Sequence, residues 1–263
     1  MIPIFTTIFF IFGLIIGSFL NVVIARYHTA RSFGGRSACM SCQNKLCWYE
    51  LVPLVSFFAL KGRCRTCKTK ISITYPLVEL VTGLIFAALF FKFQDVFFIN
   101  TSIFVVTYAY YAIIFSLLVV VVVYDLKHKI IPDSLSFIFG VLGFIGLFFF
   151  NSYGFFPHIP TLLEFLSGVF IALPFALLWF MSAGTWIGLG DAKIILGLGW
   201  FLGFSRALSA VAVAFWIGAI IGLYLIIFSK NYGMKSEIPF AFYLVFGAFL
   251  AFLFDLNLFI VGF

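Results

Sequence analysis

The chain has 263 residues, 64% of them hydrophobic and only 10% charged, and forty are Phe. A soluble domain of this size carries too little polar material to cover so much apolar surface. The net charge of +7 does not call for a nucleic-acid partner, because basic residues gather in the cytoplasmic loops of membrane proteins.

Apolar runs of about 20 residues recur along the whole length, which is the signature of helical membrane spans. The runs are continuous and do not alternate, which argues against a β-barrel. The expected fold is an all-α polytopic membrane protein with about eight transmembrane helices, embedded in a lipid bilayer.

The first span covers 1–25. Basic residues follow it and none precedes it, so the N-terminus is expected outside and the span uncleaved. Asn21, inside this run, needs a polar partner on another helix. Residues 26–74 form a cytoplasmic insertion with nine of the sixteen Lys and Arg and all five Cys, four of them at paired spacing. Within it Leu51–Leu60 is apolar but too short to span, so it should lie in the interface or pack on the membrane domain.

The helical membrane domain is expected over 75–263. A second span runs over 75–91, contains Glu79, and leads to an outer loop with Lys92 and Asp95. A third, 101–124, stops at Tyr124-Asp125, and 126–133 is a short basic loop. Pro132 and Asp133 open a fourth span over 134–150, with proline in the first turn and Asp133 suited to capping it. Residues 151–160 form an outer loop. Spans five to eight cover 161–181, about 190–205, 207–228 and 240–262, the sixth being short and glycine-punctuated. This arrangement puts fourteen Lys and Arg inside and only two, Lys92 and Arg206, outside, which supports the orientation. Asp125 and Asp191 then both fall at the cytoplasmic face.

Cys39-Met40-Ser41-Cys42 and Cys64-Arg65-Thr66-Cys67 are two C-x-x-C pairs separated by 21 residues. Two such turns make the tetrahedral sulfur site that structural zinc accepts. A reducing compartment disfavours disulfides, and redox chemistry or unliganded thiols are the competing readings. Cys47 has no partner at ligand spacing.

Ionisable groups at the edge of a span are costly and are functional candidates by default. Asp125 and Asp191 lie on different spans at one depth, without an evident permanent cation. Two neighbouring carboxylates that share a proton suit aspartic proteolysis. One takes a proton from the attacking water and the other donates to the carbonyl oxygen. Gly188 and Gly190 would let a substrate backbone approach closely. Glu79 could orient a partner or meet a substrate charge. Glu164 and Asp255 read as solvent-facing or packing residues. His28, His128 and His158 have no ligand spacing, with His128 near the acidic face. Glu237-Ile238-Pro239-Phe240 opens the last span and could line the same cavity. A structural pair, or the ion relay of a transporter, stays open on these residues alone. A transporter needs ionisable groups near the midplane, reached from both sides. A zinc scaffold that only recruits partners would give the aspartates no role.

The ordered set Gly17-Ser18-Phe19-Leu20-Asn21-Val22, both C-x-x-C pairs, Ile71 to Glu79, Asp125 with Ile131-Pro132-Asp133, and Gly188-Leu189-Gly190-Asp191-Ala192-Lys193 resembles the type IV prepilin peptidases. The resemblance runs nearly the whole chain. It implies a bacterial inner-membrane aspartic protease with Asp125 and Asp191 as the catalytic pair, supported by Asp133, Glu79 and Lys193. The implied reaction is removal of a short basic leader, after glycine, from prepilins and pseudopilins. Many members then N-methylate the new N-terminus with S-adenosylmethionine, and the cysteine-bearing insertion accompanies that bifunctional form. One departure stands out: the family's Pro-Phe-Gly-Pro-Phe before the last span is Pro239-Phe240-Ala241-Phe242-Tyr243 here. The sequence locates no methyl-donor site and sets no oligomeric state.

Overall fold

The computed structural model describes residues 2–29, 34–151, 154–228 and 239–259. It is helical almost throughout: α1 (Ile2–Arg26), a 3-10 turn (Trp48–Leu51), α2 (Val55–Ala59), α3 (Thr74–Ile99), α4 (Thr101–His128), α5 (Asp133–Phe149), a ribbon of β1 (Phe150–Asn151) and β2 (Gly154–Phe155), α6 (Leu162–Met181), α7 (Leu189–Leu202), α8 (Phe204–Phe228) and α9 (Phe240–Leu253). Among the described residues, α1, α3, α4, α6 and α8 are long and apolar enough to cross a membrane. The fourteen residues of α7 or α9 extend only about 21 Å at 1.5 Å per residue, short of the hydrocarbon thickness of about 30 Å.

The chain divides into two compact units. The first is Met1–Ile99 with Tyr108–Val120, and the second is Asn100–Thr107 with Val121–Phe263. In the first, α1 lies against α3. A Cβ on Gly13 would fall 2.7 Å from Phe86 Cβ, and one on Gly17 would fall 2.8 Å from Glu79 Cα. Such contact is what small residues four apart allow between membrane helices. Asn21 Nδ2 donates to Tyr75 O at 3.0 Å, so the expected partner is the first turn of α3. Phe90 stacks on Phe9 with centroids 4.7 Å apart, and Tyr108 OH donates to Phe86 O at 3.0 Å. The core of this unit is aromatic and aliphatic, with Leu89, Phe90, Ile114 and Leu118 fully buried.

In the second unit α7 is the hub, packed on α5 and α6 and touching α8 and α9. A Cβ on Gly199 would sit 2.5 Å from Gly168 Cα, so α6 and α7 meet backbone to backbone. Ile194, Ile195 and Leu198 are fully buried. By contrast α8 leaves Trp216, Ile220, Leu223 and Ile227 exposed, the apolar face a bilayer covers.

Several expected boundaries move. Helix α3 reaches Ile99 only across a kink at Phe93, whose backbone is non-helical at φ −105° and ψ 16°, so the break expected after 91 is a kink, and Lys92 and Asp95 flank it in helix and not in an outer loop. Asn100 breaks the chain there by accepting from Ile103 N at 3.1 Å and capping α4. Helix α4 continues through His128, until Lys129 turns left-handed at φ 55°. Leu126-Lys127-His128 is therefore helix and not loop, because polarity alone does not end a helix. The loop at 151–160 contains the β-ribbon, whose Phe155 N donates to the buried Thr107 Oγ1 at 2.8 Å. Helix α9 ends at Leu253, well before 262.

Candidate active site and metal centre

Asp125 lies in the last turn of α4 and is buried. A carboxylate at that end of a helix opposes the helix dipole. The structure offsets this from elsewhere: the Ala241 N–H, in the first turn of α9, faces the Asp125 carboxylate. That donor is one of the four that a helix start leaves without an internal partner. Asp191 occupies the third position of α7, whose N-cap is Gly188. Its carboxylate turns back onto the Gly188 N–H, the reverse half of a capping box. Asp191 N in turn donates to Gly188 O at 3.2 Å. The two carboxylates lie within electrostatic reach of each other, although 66 positions separate them in the chain.

The neighbours have roles that differ in part from expectation. A Cβ on Gly190 would fall 2.8 Å from Ile131 Cβ. Its missing side chain therefore seats the α4–α5 loop against α7, and the space expected for a substrate backbone is occupied by Ile131. A Cβ on Gly188 would meet Asp191 Oδ2 at 3.4 Å, an ordinary contact. Asp133 is not the cap of α5. Pro132 is the N-cap and makes no side-chain bond, while Asp133 is the first helical residue. The Asp133 carboxylate pairs with Lys193 Nζ at 2.6 Å, largely exposed, and so ties the start of α5 to α7. Glu164 forms a full capping box with Thr161, and Asp255 pairs with Arg206 at 3.3 Å. His128 lies on Tyr124 with centroids 4.4 Å apart. Arg31, Lys230, Lys235, Glu237 and Ile238 lie outside the described residues.

The thiols form the other constellation. Cys39 N donates to Asn44 O at 3.0 Å and Gln43 N to Cys39 O at 2.9 Å. Cys64 N donates to Thr69 O at 2.9 Å and Lys68 N to Cys64 O at 3.0 Å. The two C-x-x-C turns thus repeat one hydrogen-bond pattern, each with a left-handed residue at the same place, Gln43 and Lys68. Asn44 Nδ2 bridges them by donating to Thr66 Oγ1 at 2.9 Å. All four Sγ atoms lie within 4.8 Å of one another, and Cys39 and Cys67 Sγ are 3.7 Å apart. A tetrahedron with Zn–S bonds of 2.3 Å has edges of about 3.8 Å, so the cluster fits a zinc ion. The Thr69 hydroxyl and backbone N–H lower the Cys67 thiol to about 6. The Asn44 N–H favours a Cys42 thiolate, but desolvation and the neighbouring thiols push that group up to about 11. Four thiolates together need a cation. Cys47 stands outside the cluster, and its N–H donates to Glu50 Oε2 at 2.7 Å.

Glu79 is buried in α3, and its Oε2 accepts from Leu54 N at 2.8 Å. This bond fastens the apolar segment before α2 to the helical core. Sequence reasoning missed Leu54 and Ala241 as donors, because a backbone N–H has no residue signature. The Gly13-x-x-x-Gly17 spacing was a readable signal for the α1–α3 contact.

The Bacterial Peptidase A24 N-terminal domain matches residues 11–93, and the Type IV leader peptidase family matches residues 112–223. A prepilin leader peptidase/N-methyltransferase of Myxococcus xanthus is 34% identical over 242 residues, covering 89% of this chain and 67% of the relative. One from Bacillus subtilis is 32% identical over 253 residues, covering 94% of each. One from Neisseria gonorrhoeae is 28% identical over 245 residues, covering 81% of this chain and 78% of the relative. The chain belongs to the type IV leader peptidase family.

Both aspartates fall inside the leader peptidase match, and the four clustered cysteines and Glu79 fall inside the A24 N-terminal match. The altered Pro239 to Tyr243 stretch lies beyond both matches, at the start of α9. In this leader peptidase Ala241 still presents its N–H there, and Phe242 continues the helix. No solved structure matches the chain.

Proposed function

We propose that this family member is a bacterial inner-membrane aspartic endopeptidase. It removes the short basic leader from type IV prepilins and pseudopilins and then N-methylates the new N-terminal residue. The observation that carries the peptidase reading is the pairing of Asp125 and Asp191 from two helices within electrostatic reach. Two adjacent carboxylates are cheapest with one shared proton. The ionised member deprotonates water as it attacks the scissile carbonyl, and the protonated member donates to the carbonyl oxygen. The roles exchange as the amine leaves. The Ala241 and Gly188 N–H groups face the two carboxylates, which supports a pair oriented by backbone donors.

The proposed organisation is a first helix over 1–25, a cytoplasmic insertion over 26–74 and a membrane domain over 75–263. The N-terminus is outside and the aspartates are at the cytoplasmic face. Cys39, Cys42, Cys64 and Cys67 would hold a structural zinc, whose charge offsets the thiolates and fixes the insertion. When bound, S-adenosylmethionine supplies a methyl group activated by its sulfonium charge. The acceptor is the α-amine that cleavage frees, which makes the product of the first reaction the substrate of the second.

The test combines purified protein, a prepilin-type substrate and S-adenosylmethionine, with products read by intact mass. The reading predicts a product that has lost its leader and gained one methyl. Cleavage without the methyl reduces the protein to a peptidase. Absence of cleavage across several pilin-like substrates overturns the reading and favours the ion-relay alternative.

A further inference from the structure

The turn after α2 carries a surface that the peptidase chemistry does not use. Lys61 and Gly62 both adopt a left-handed backbone, at φ 50° and 65°, and Gly62 N donates to Phe57 O at 2.8 Å. Helix α2 therefore stops after five residues, and the chain turns back. Four cations, Lys61, Arg63, Arg65 and Lys68, line a cleft of about 610 Å³ there, and no carboxylate does. Arg65 is held, because its guanidinium donates to Tyr49 OH and lies over the Tyr49 ring, 5.5 Å from the centroid. Lys61, Arg63 and Lys68 are exposed, and none of them pairs with a carboxylate among the described residues. Across 26–74 a single acid, Glu50, stands against nine Lys and Arg, and its carboxylate is taken by Cys47 N. An uncompensated basic cluster attracts anions.

Two further observations say which anion. The cations adjoin exposed apolar side chains: Ala59 and Leu60 line the same cleft, and in the turn before them Val55 and Phe58 are exposed, Phe58 by 72%. Basic groups beside exposed apolar ones suit a lipid interface, where the cations meet headgroups and the apolar groups enter the acyl boundary. A nucleic acid matches the cations alone. The turn is also built onto the start of a helix of membrane-spanning length. Leu54 N donates to Oε2 of Glu79, the sixth residue of α3. Gly62 O accepts from Ile71 N at 2.8 Å, and Arg63 forms an antiparallel bridge with Lys70. Just beyond, Ile73 is 66% exposed and begins an exposed apolar stripe through Leu77, Leu80 and Leu84, the face of α3 that lipid covers. The basic turn is thus hydrogen-bonded to the segment that enters the bilayer.

We propose that this cleft docks on anionic phospholipid headgroups of the bilayer that holds the spans. Lys61, Arg63 and Lys68 meet the phosphates, and Val55 and Phe58 enter the acyl boundary. The contact clamps the thiol-bearing insertion to the membrane surface at the start of α3. Clusters of basic residues just outside a membrane helix recognise anionic lipid in this way.

The test is hydrogen exchange of residues 55–63, read by mass spectrometry, in the zinc-loaded full chain held in lipid nanodiscs. Discs of phosphatidylcholine are compared with discs that also contain phosphatidylglycerol. Both faces of a disc are open, so the result does not depend on the orientation of the chain. Exchange should be about tenfold slower or more in the anionic discs, since each basic residue near such a surface adds roughly a factor of five. Salt at about 1 M, where the Debye length is about 3 Å, should remove most of the difference. Lys61→Gln, Arg63→Gln and Lys68→Gln combined should remove it as well, and Phe58→Ser should reduce it. Unaltered zinc content shows that each variant is folded. Equal exchange in the two lipids, or slowing that survives the triple substitution, overturns the proposal. Equal slowing in phosphatidylcholine discs on adding inorganic phosphate, or slowing only on adding RNA or polyglutamate, overturns membrane docking and assigns the cleft to a soluble anion.

Discussion

The four thiols and the two aspartates solve the same electrostatic problem in opposite ways. Each site brings like charges together where they repel. The thiols are clustered by two short turns that repeat one backbone pattern, at Cys39 to Asn44 and Cys64 to Thr69. Their geometry is local, and the ingredient such a cluster calls for is a cation. The aspartates are brought together by whole helices. Each carboxylate faces a backbone N–H at a helix start, Ala241 for Asp125 and Gly188 for Asp191. In the proposed mechanism the ingredient they add is a shared proton. A structural site must discharge its repulsion fully, whereas a catalytic one keeps a part of it to do chemistry.

The comparison breaks most visibly at the metal. Cys64→Ser, or treatment with a strong chelator, should take the zinc content from one per chain to none. The insertion should then become protease-sensitive, because a structural zinc site carries about 10–16 kcal/mol of apparent binding energy into folding. Metal analysis and limited proteolysis check this, and an insertion that stays resistant without metal contradicts it. Helix packing sets the second effect. Gly190→Val should cut leader cleavage by about tenfold or more, since its side chain would overlap Ile131 and overpacking costs about 1–3 kcal/mol. Gly188→Ala should do less, because its Cβ meets only an ordinary contact. Rates for the two variants measured side by side give the order, and the reverse order would count against the packing role of Gly190.

A third, smaller effect concerns the first unit. Asn21→Ala leaves Tyr75 O without its 3.0 Å donor and should cost about 1 kcal/mol, read as a lower thermal midpoint with little change in cleavage. Smallest is Lys193→Ala. Its ion pair with Asp133 is largely exposed and is worth about 0–1 kcal/mol. Stability should change little, and that change should shrink as salt is raised. A large, salt-independent loss of cleavage would instead give Lys193 a direct role.

The thiol site was legible in the sequence because its information is local: two C-x-x-C spacings specify two turns. The five helices long enough to cross a membrane among the described residues were legible from apolar runs, since composition over about 20 residues reports the bilayer, whereas the runs expected as spans six and eight form helices of only fourteen residues. The ends were less so. Leu126 to His128 looked like the start of a basic loop because the apolar run stops at Asp125, yet the helix ends only where Lys129 adopts a left-handed φ. Asp133 looked like a cap because of its residue type, but the cap position belongs to Pro132 and the carboxylate goes to Lys193. Gly190 looked like space for a substrate, and tertiary packing gave that space to Ile131. The Ala241 N–H could not be read at all. The altered Pro239 to Tyr243 stretch drew the eye to missing side chains, while the group that faces Asp125 is backbone, which alanine supplies as well as glycine.

The most direct test of the central claim is leader cleavage by Asp125→Asn, Asp191→Asn and the double variant, each checked for zinc content and folding. If the two carboxylates act as one unit, each single substitution should lower the rate as far as the double, by about a thousandfold or more, because groups that act as one unit are strongly non-additive. Undiminished cleavage by either single variant, or losses that simply multiply in the double, would contradict the paired mechanism.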